Sequence, residues 1–193
     1  MKTLKILLVL FSLSLTAVHC KDNLNQNIGD DGLPHGENTM YYYVDGKLVI
    51  PKTKHSGVYT IPAISYHRCY QHQEDIIIRD SNHFYIRINS EDFTEGTHNL
   101  YQAHYDICRI PTNSCAFIGI EQTDPDGVVR TYRWYTRPGS GYIRFTYVSP
   151  DKRKFKGTFE MTVYHSVTGE EKHITDGHFN INLDKLHEYG VIN

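Results

Sequence analysis

The chain has 193 residues, 39% of them hydrophobic, which is ordinary for a globular protein, and a formal net charge of −2. The first 20 residues hold Lys2 and Lys5 and no acid, so the remainder carries 18 basic against 22 acidic residues, a net −4. That balance excludes a general nucleic-acid binder, which needs a basic face to displace counterions.

In chain order, Lys2 and Lys5 precede an apolar run over 6–15 that only Ser12 and Ser14 interrupt, and Ala17-Val18-His19 leads to Cys20. This is the layout of a secretory signal peptide, and the run is too short to span a bilayer. Two readings of its end stand open: lipidation of Cys20, or ordinary cleavage after Ala17 or Cys20. The first is the expectation, because a polar segment starts at once. Residues 21–39 are rich in Asn, Asp and Gly and read as a flexible tether. The domain expected beyond it covers 40–193.

From residue 40 the apolar period becomes two. Tyr41, Tyr42, Tyr43 and Val44, then Asp45-Gly46, then Leu48, Val49 and Ile50 predict a hairpin, since Asp-Gly supplies the positive φ angles of a type I′ turn. Further strands are predicted at 58–65, 75–79, 84–89, 100–110, 115–122, 128–136, 142–149, 155–164 and 171–182. Ile143, Phe145 and Tyr147 are expected on one face, as are Phe159, Met161 and Val163. Short helical turns are expected at 91–93 and 183–189. About ten short strands with no sustained helical period predict an all-β antiparallel sandwich or barrel.

Phe155-Lys156-Gly157-Thr158-Phe159-Glu160-Met161 resembles the "SGTFxF" strand of a family of uncharacterised Bacteroidota lipoproteins, with Lys156 where that family often has Ser. Ile174-Thr175-Asp176-Gly177-His178-Phe179 resembles the "ITDGxF" strand that closes the same domain. Lys21-Asp22 after Cys20 also resembles the surface-export signal of such lipoproteins. The resemblance covers roughly the last 50 residues. It implies an antiparallel β domain on a lipid anchor and no activity. Read physically, Gly157 stands where a side chain would clash, and Asp176-Gly177 marks a turn or bulge.

Cys108 and Cys115 flank a short loop, so a disulfide or two buried thiols both fit, while Cys69 reads as a small core residue. His67, Cys69 and His72, with His165, His173 and His178 in the last hairpin, invite a metal reading, but no spacing sets three or four ligands together, and no metal or cofactor is expected. No Gly-x-Ser-x-Gly elbow, His-Glu-x-x-His pair or phosphate-cradling loop is present. Glu91-Asp92 and Glu170-Glu171 are adjacent carboxylates, but adjacent strand residues point to opposite faces, so they do not naturally form an acid–base pair. Catalysis is therefore not expected. Tyr132, Trp134 and Tyr142 form a candidate aromatic platform for a sugar ring, with Arg133, Arg137 and Arg144 nearby; half-buried sheet packing uses the same residues. The expectation is a lipid-anchored protein of the cell envelope, at the outer membrane or cell surface. Its role is noncatalytic, with a glycan, a small ligand or another envelope protein as partner.

Overall fold

The computed structural model describes residues 27–56, 59–69, 75–103, 113–186 and 188. The fold is all-β. Strands β1 (Asn27–Ile28) and β2 (Pro34–His35) form a small hairpin of their own, and β5 (Lys54–Ser56) pairs with β6 (Tyr59–Ile61). Eleven further strands make one antiparallel sheet: β3 (Thr39–Val44), β4 (Lys47–Val49), β7 (Ile64–Arg68), β8 (Ile76–Asp80), β9 (Phe84–Ile88), β10 (Gly96–Asn99), β11 (Cys115–Thr123), β12 (Val129–Tyr135), β13 (Gly141–Val148), β14 (Lys154–His165) and β15 (Glu171–Asn182). Single 3₁₀ turns lie at Ser90–Asp92 and Leu183–Lys185. Among the described residues no helix is long and apolar enough to cross a membrane.

The sheet order runs β4-β3-β15-β14-β12-β11-β9-β8-β7, and its two end strands do not pair, so the sheet folds over without closing into a barrel. The fold-over happens at β14. Most of β14 pairs with β13, from Phe155 opposite Val148 to Met161 opposite Gly141, whereas its last two residues, Tyr164 and His165, pair with Tyr135 and Trp134 of β12. One layer therefore holds β10, β13, β14, β15, β3 and β4. The other holds β12, β11, β9, β8 and β7.

The layers meet through a single apolar core. Tyr42, Phe84 and Phe159 come together across it, with ring centroids 4.8 Å (Tyr42–Phe84) and 5.5 Å (Phe84–Phe159) apart. Phe93, Phe145, Phe155 and Phe179 continue it in edge-on and stacked contacts. Phe159, Met161 and Val163 are all buried, as their alternation predicts. Ile76, Ile77 and Ile78 are buried in succession because the second layer is covered on both sides: Ile76 and Ile78 join the main core, while Ile77 packs with Cys69, Ala103, Cys115 and Phe117 on the outer face.

The predicted hairpin at 40–50 is β3–β4, and Asp45 (φ 49°) and Gly46 (φ 78°) take the two positive angles its turn demands. A Cβ on Gly157 would sit 2.1 Å from the Arg144 carbonyl oxygen, the close approach expected there. Asp176 (φ 48°) lies in a bulge that shifts the register against both β3 and β14.

Some expectations are revised. A bulge between Phe145 and Tyr147 turns Tyr147 out to solvent while Ile143 and Phe145 stay buried. The strand expected at 100–110 is displaced: β10 ends at Asn99, Leu100–Ala103 is irregular, and 104–110 lies outside the described residues. The span 58–65 divides into β6 and β7. Of the expected tether, 21–26 lies outside the described residues, as does the signal segment. From residue 27 it carries the β1–β2 hairpin and then joins the domain: the Asn38 side chain accepts from the Asn182 amide (2.7 Å), and the Gly36 carbonyl accepts from Asn180 Nδ2 (2.6 Å).

Candidate functional site

A concavity opens between the layers, where the β3–β4 hairpin faces the β8–β9 turn and β11. Its volume is about 610 Å³. Tyr42, Val44, Leu48, Val49, Ile118 and Ile120 make an apolar wall, with Lys52, Lys54, Asn82, His83 and Glu121 among the polar residues around it. β4 is the end strand of its layer and pairs with β3 alone, so apolar side chains beside it end against space. Leu48 is accordingly 40% exposed.

Beneath this groove the β8–β9 turn is pinned by a buried carboxylate. Asp80 accepts the Tyr42 hydroxyl (2.6 Å) on one oxygen and the amides of Asn82 (2.7 Å) and Phe84 (2.9 Å) on the other. Burial pushes the Asp80 carboxyl up to about 6, and the Tyr42 bond followed by the two amides holds it from going further. The same burial, with Asp80 beside it, raises the Tyr42 phenol. Lys54 Nζ donates to the Ser81 carbonyl (2.6 Å), tying β5 to this turn. His83 lies 3.9 Å from Glu121, and burial followed by the Arg79 charge keeps its imidazole below the ordinary value.

A second buried carboxylate, this one in an ion pair, sits on the outer face of the second layer. Arg87 donates to Asp75 through Nε (3.1 Å) and Nη2 (2.5 Å), while the other Asp75 oxygen accepts the Ser90 amide (2.8 Å). Both buried acids are thus taken up by bonds that hold turns and strands, not presented to a ligand.

The candidate platform separates. Trp134 is 1% exposed and belongs to the core, against His165 at 4.9 Å and under the Lys172 ammonium at 4.9 Å. Tyr132 shares that inward face and donates its hydroxyl to Asp124 (2.8 Å). Tyr142 belongs to β13, half-buried opposite Glu160 and Asn99. The correction is one of strand parity. Along β12 the outward residues are Arg133 and Tyr135, and sequence alternation alone left the choice of face open because aromatics occupy both.

The outward aromatic row that was missed runs across four strands. Tyr85, Phe117, Tyr135 and Tyr164 are cross-strand neighbours in that order; Tyr85 stacks on Phe117 at 4.3 Å and Phe117 lies 5.7 Å from Tyr135. At its end a cleft of about 560 Å³ is lined by Gln102, Ala103, Tyr135, Arg137, Tyr164, His165 and Ser166. The Arg137 guanidinium lies over the Tyr164 ring, 4.0 Å from its centroid. A signal for this row was present in the sequence: Tyr135 and Arg137 lie two residues apart, and Tyr164 ends the alternating run of β14.

Cys115 is buried at the start of β11 beside Cys69, while Cys108 and Cys20 lie outside the described residues. His67 is buried in β7, and His72 lies outside the described residues. His165 accepts the Thr168 amide (3.0 Å), His173 bonds to the Thr162 hydroxyl (3.3 Å) and His178 stacks on Tyr41 (4.8 Å). Among the described residues no three His, Cys, Asp or Glu side chains are grouped to hold a metal. Of the basic residues over 130–156, Arg130 pairs with Asp124 and Asp126, and Arg153 with Asp184.

Comparison with known proteins finds no matching family model, no matching curated protein and no matching solved structure.

Proposed function

We propose that this chain is an exported lipoprotein of the cell envelope, anchored through Cys20, whose β-sandwich acts noncatalytically by binding a small apolar ligand in the groove between its layers. The observation that carries the reading is the groove itself. Its volume falls within the roughly 300–1,000 Å³ typical of ligand pockets, and its wall is apolar with a few polar groups around it, the composition such pockets use. The strongly shifted carboxyl nearby, Asp80, is already engaged by three donors, which favours binding over acid–base chemistry at this place. The anchor is supported by the run over 6–15 and Cys20. Acylation holds a protein at a bilayer because each buried methylene contributes about 0.8 kcal/mol, and more than one chain is needed for stable residence.

Two measurements test the reading. Wild-type chain expressed in a Gram-negative host is expected in the membrane fraction and Cys20→Ser in the soluble fraction; equal membrane association removes the anchor. An anilinonaphthalene sulfonate probe is expected to bind the folded domain at one site and to bind Leu48→Glu at least tenfold more weakly. Leu48 is exposed enough for the exchange to leave the core intact, so unchanged binding removes the groove as the site.

A further inference from the structure

We propose that the outer-face cleft at Tyr135, Tyr164 and Arg137 is a second site, which binds an acidic glycan through its carboxylate groups. The proposal rests on the noncatalytic binding reading but not on the groove, which lies between the layers and shares no lining residue with this cleft.

Arg137 carries the argument. Arg87, Arg130 and Arg153 are each spent on a carboxylate of the chain itself. The Arg137 guanidinium pairs with no carboxylate among the described residues and lies instead on the Tyr164 ring. A guanidinium held over a ring is attracted through its charge, and its N–H groups stay available to grip a carboxylate in two parallel hydrogen bonds.

The backbone holds this cation in place. Thr136, fully buried, donates its hydroxyl to the Tyr101 carbonyl (2.6 Å) and accepts the Ala116 amide (3.1 Å). The Arg137 amide then donates to Ser140 Oγ (2.9 Å), and the Ser140 amide returns to the Arg137 carbonyl (3.0 Å). Gly139 (φ 73°) completes that turn. A side chain fixed at its root and resting on a ring loses less freedom when a ligand arrives.

The remaining wall suits a sugar. Tyr135, half-buried beside Tyr164, presents a ring against which the C–H face of a pyranose packs. Gln102 donates its amide to the Ala103 carbonyl (3.0 Å), which leaves its side-chain oxygen to accept from a hydroxyl. Ser166 adds an exposed hydroxyl. Arg133, exposed two residues before Tyr135 on the same face, extends the positive stretch toward a second carboxylate. Glu171, cross-strand from Tyr164 on the side away from Tyr135, bounds it. The pattern is therefore a cation beside rings and hydroxyl-binding groups, matched to a uronic-acid polymer more closely than to a phosphate polyanion, whose capture is favoured by a net positive charge where this chain carries −2.

Affinity electrophoresis of the full chain through gels containing polygalacturonate, neutral dextran or a single-stranded oligonucleotide tests the idea. Wild type is expected to be retarded by polygalacturonate only. Measured against each variant's own mobility in a polymer-free gel, Arg137→Gln and, separately, Tyr164→Leu are expected to weaken retardation at least tenfold, while Leu48→Glu is retarded to the same degree as wild type. Unchanged Trp134 emission verifies that each variant is folded. No retardation of wild type, equal retardation in dextran or with the oligonucleotide, or an Arg137→Gln variant that binds normally each overturns the proposal. Such a failure leaves the groove reading intact if Leu48→Glu still loses the naphthalene probe, so the two sites are judged separately.

Discussion

Asp80 makes stability respond to pH in a direction opposite to that of most surface carboxylates, and Asp80→Asn removes that response. The Asp80 carboxyl is buried and raised from its ordinary 3.8 to about 6. Between those values the folded chain holds a proton that the unfolded chain has released. Folding is therefore favoured most below about pH 4, weakens as pH rises towards 6, and is flat above. The interval amounts to about 3 kcal/mol over the whole window. An Asn at this position is always neutral and keeps the size of the group, so the wild-type chain is expected to lose about 3 kcal/mol relative to Asp80→Asn between pH 4 and pH 7. Every other side chain is shared by the two proteins, so the comparison isolates position 80. Urea denaturation at pH 4, 5, 6 and 7, followed by emission of Trp134, the single tryptophan, measures it. With a slope of about 2 kcal/mol per molar urea, the gap between the two midpoints moves by about 1.5 M. A gap that stays constant from pH 4 to pH 7, or that moves in favour of the wild type as pH rises, refutes the account of Asp80 as a carboxyl raised by burial.

Two further perturbations probe the frame. Gly157→Ala places a methyl 2.1 Å from the Arg144 carbonyl and 2.6 Å from the Phe179 ring; a loss of about 3 kcal/mol is expected by the same urea titration. Arg87→Leu strands the Asp75 carboxylate in a dry setting and is expected to cost about 3–5 kcal/mol, most of it recovered by the double change Arg87→Leu, Asp75→Leu; a single variant as stable as wild type contradicts the buried pair.

The elements legible in the sequence are those whose signals are local. Asp45-Gly46 specifies its own turn, and the alternation of Phe159, Met161 and Val163 gives β14 its inward face. Gly157 and Asp176 stand out because a strand tolerates neither without reason. The rest depends on partners far along the chain. Asp80 closes an isoleucine run and reads as a turn residue; its burial is decided by Tyr42, 38 residues earlier. Likewise the choice between the two aromatic faces of β12 is made by pairing of Trp134 with His165, a contact no alternation encodes. The bulge between Phe145 and Tyr147 defeats parity in the same way, because one extra residue reverses which side chains face inward.

The order in which the chain can close follows from the place of β15. This strand is made after every other one described, yet it lies in the interior of its layer, hydrogen-bonded to β3 on one flank and β14 on the other. Until it arrives, β3 is paired along one edge only, and Phe145, Phe155 and Phe159 lack the Phe179 ring they pack against. Assembly must therefore wait for almost the whole chain, and such long-range pairing is slow. A polypeptide built this way stays open along its length until its last strands are made.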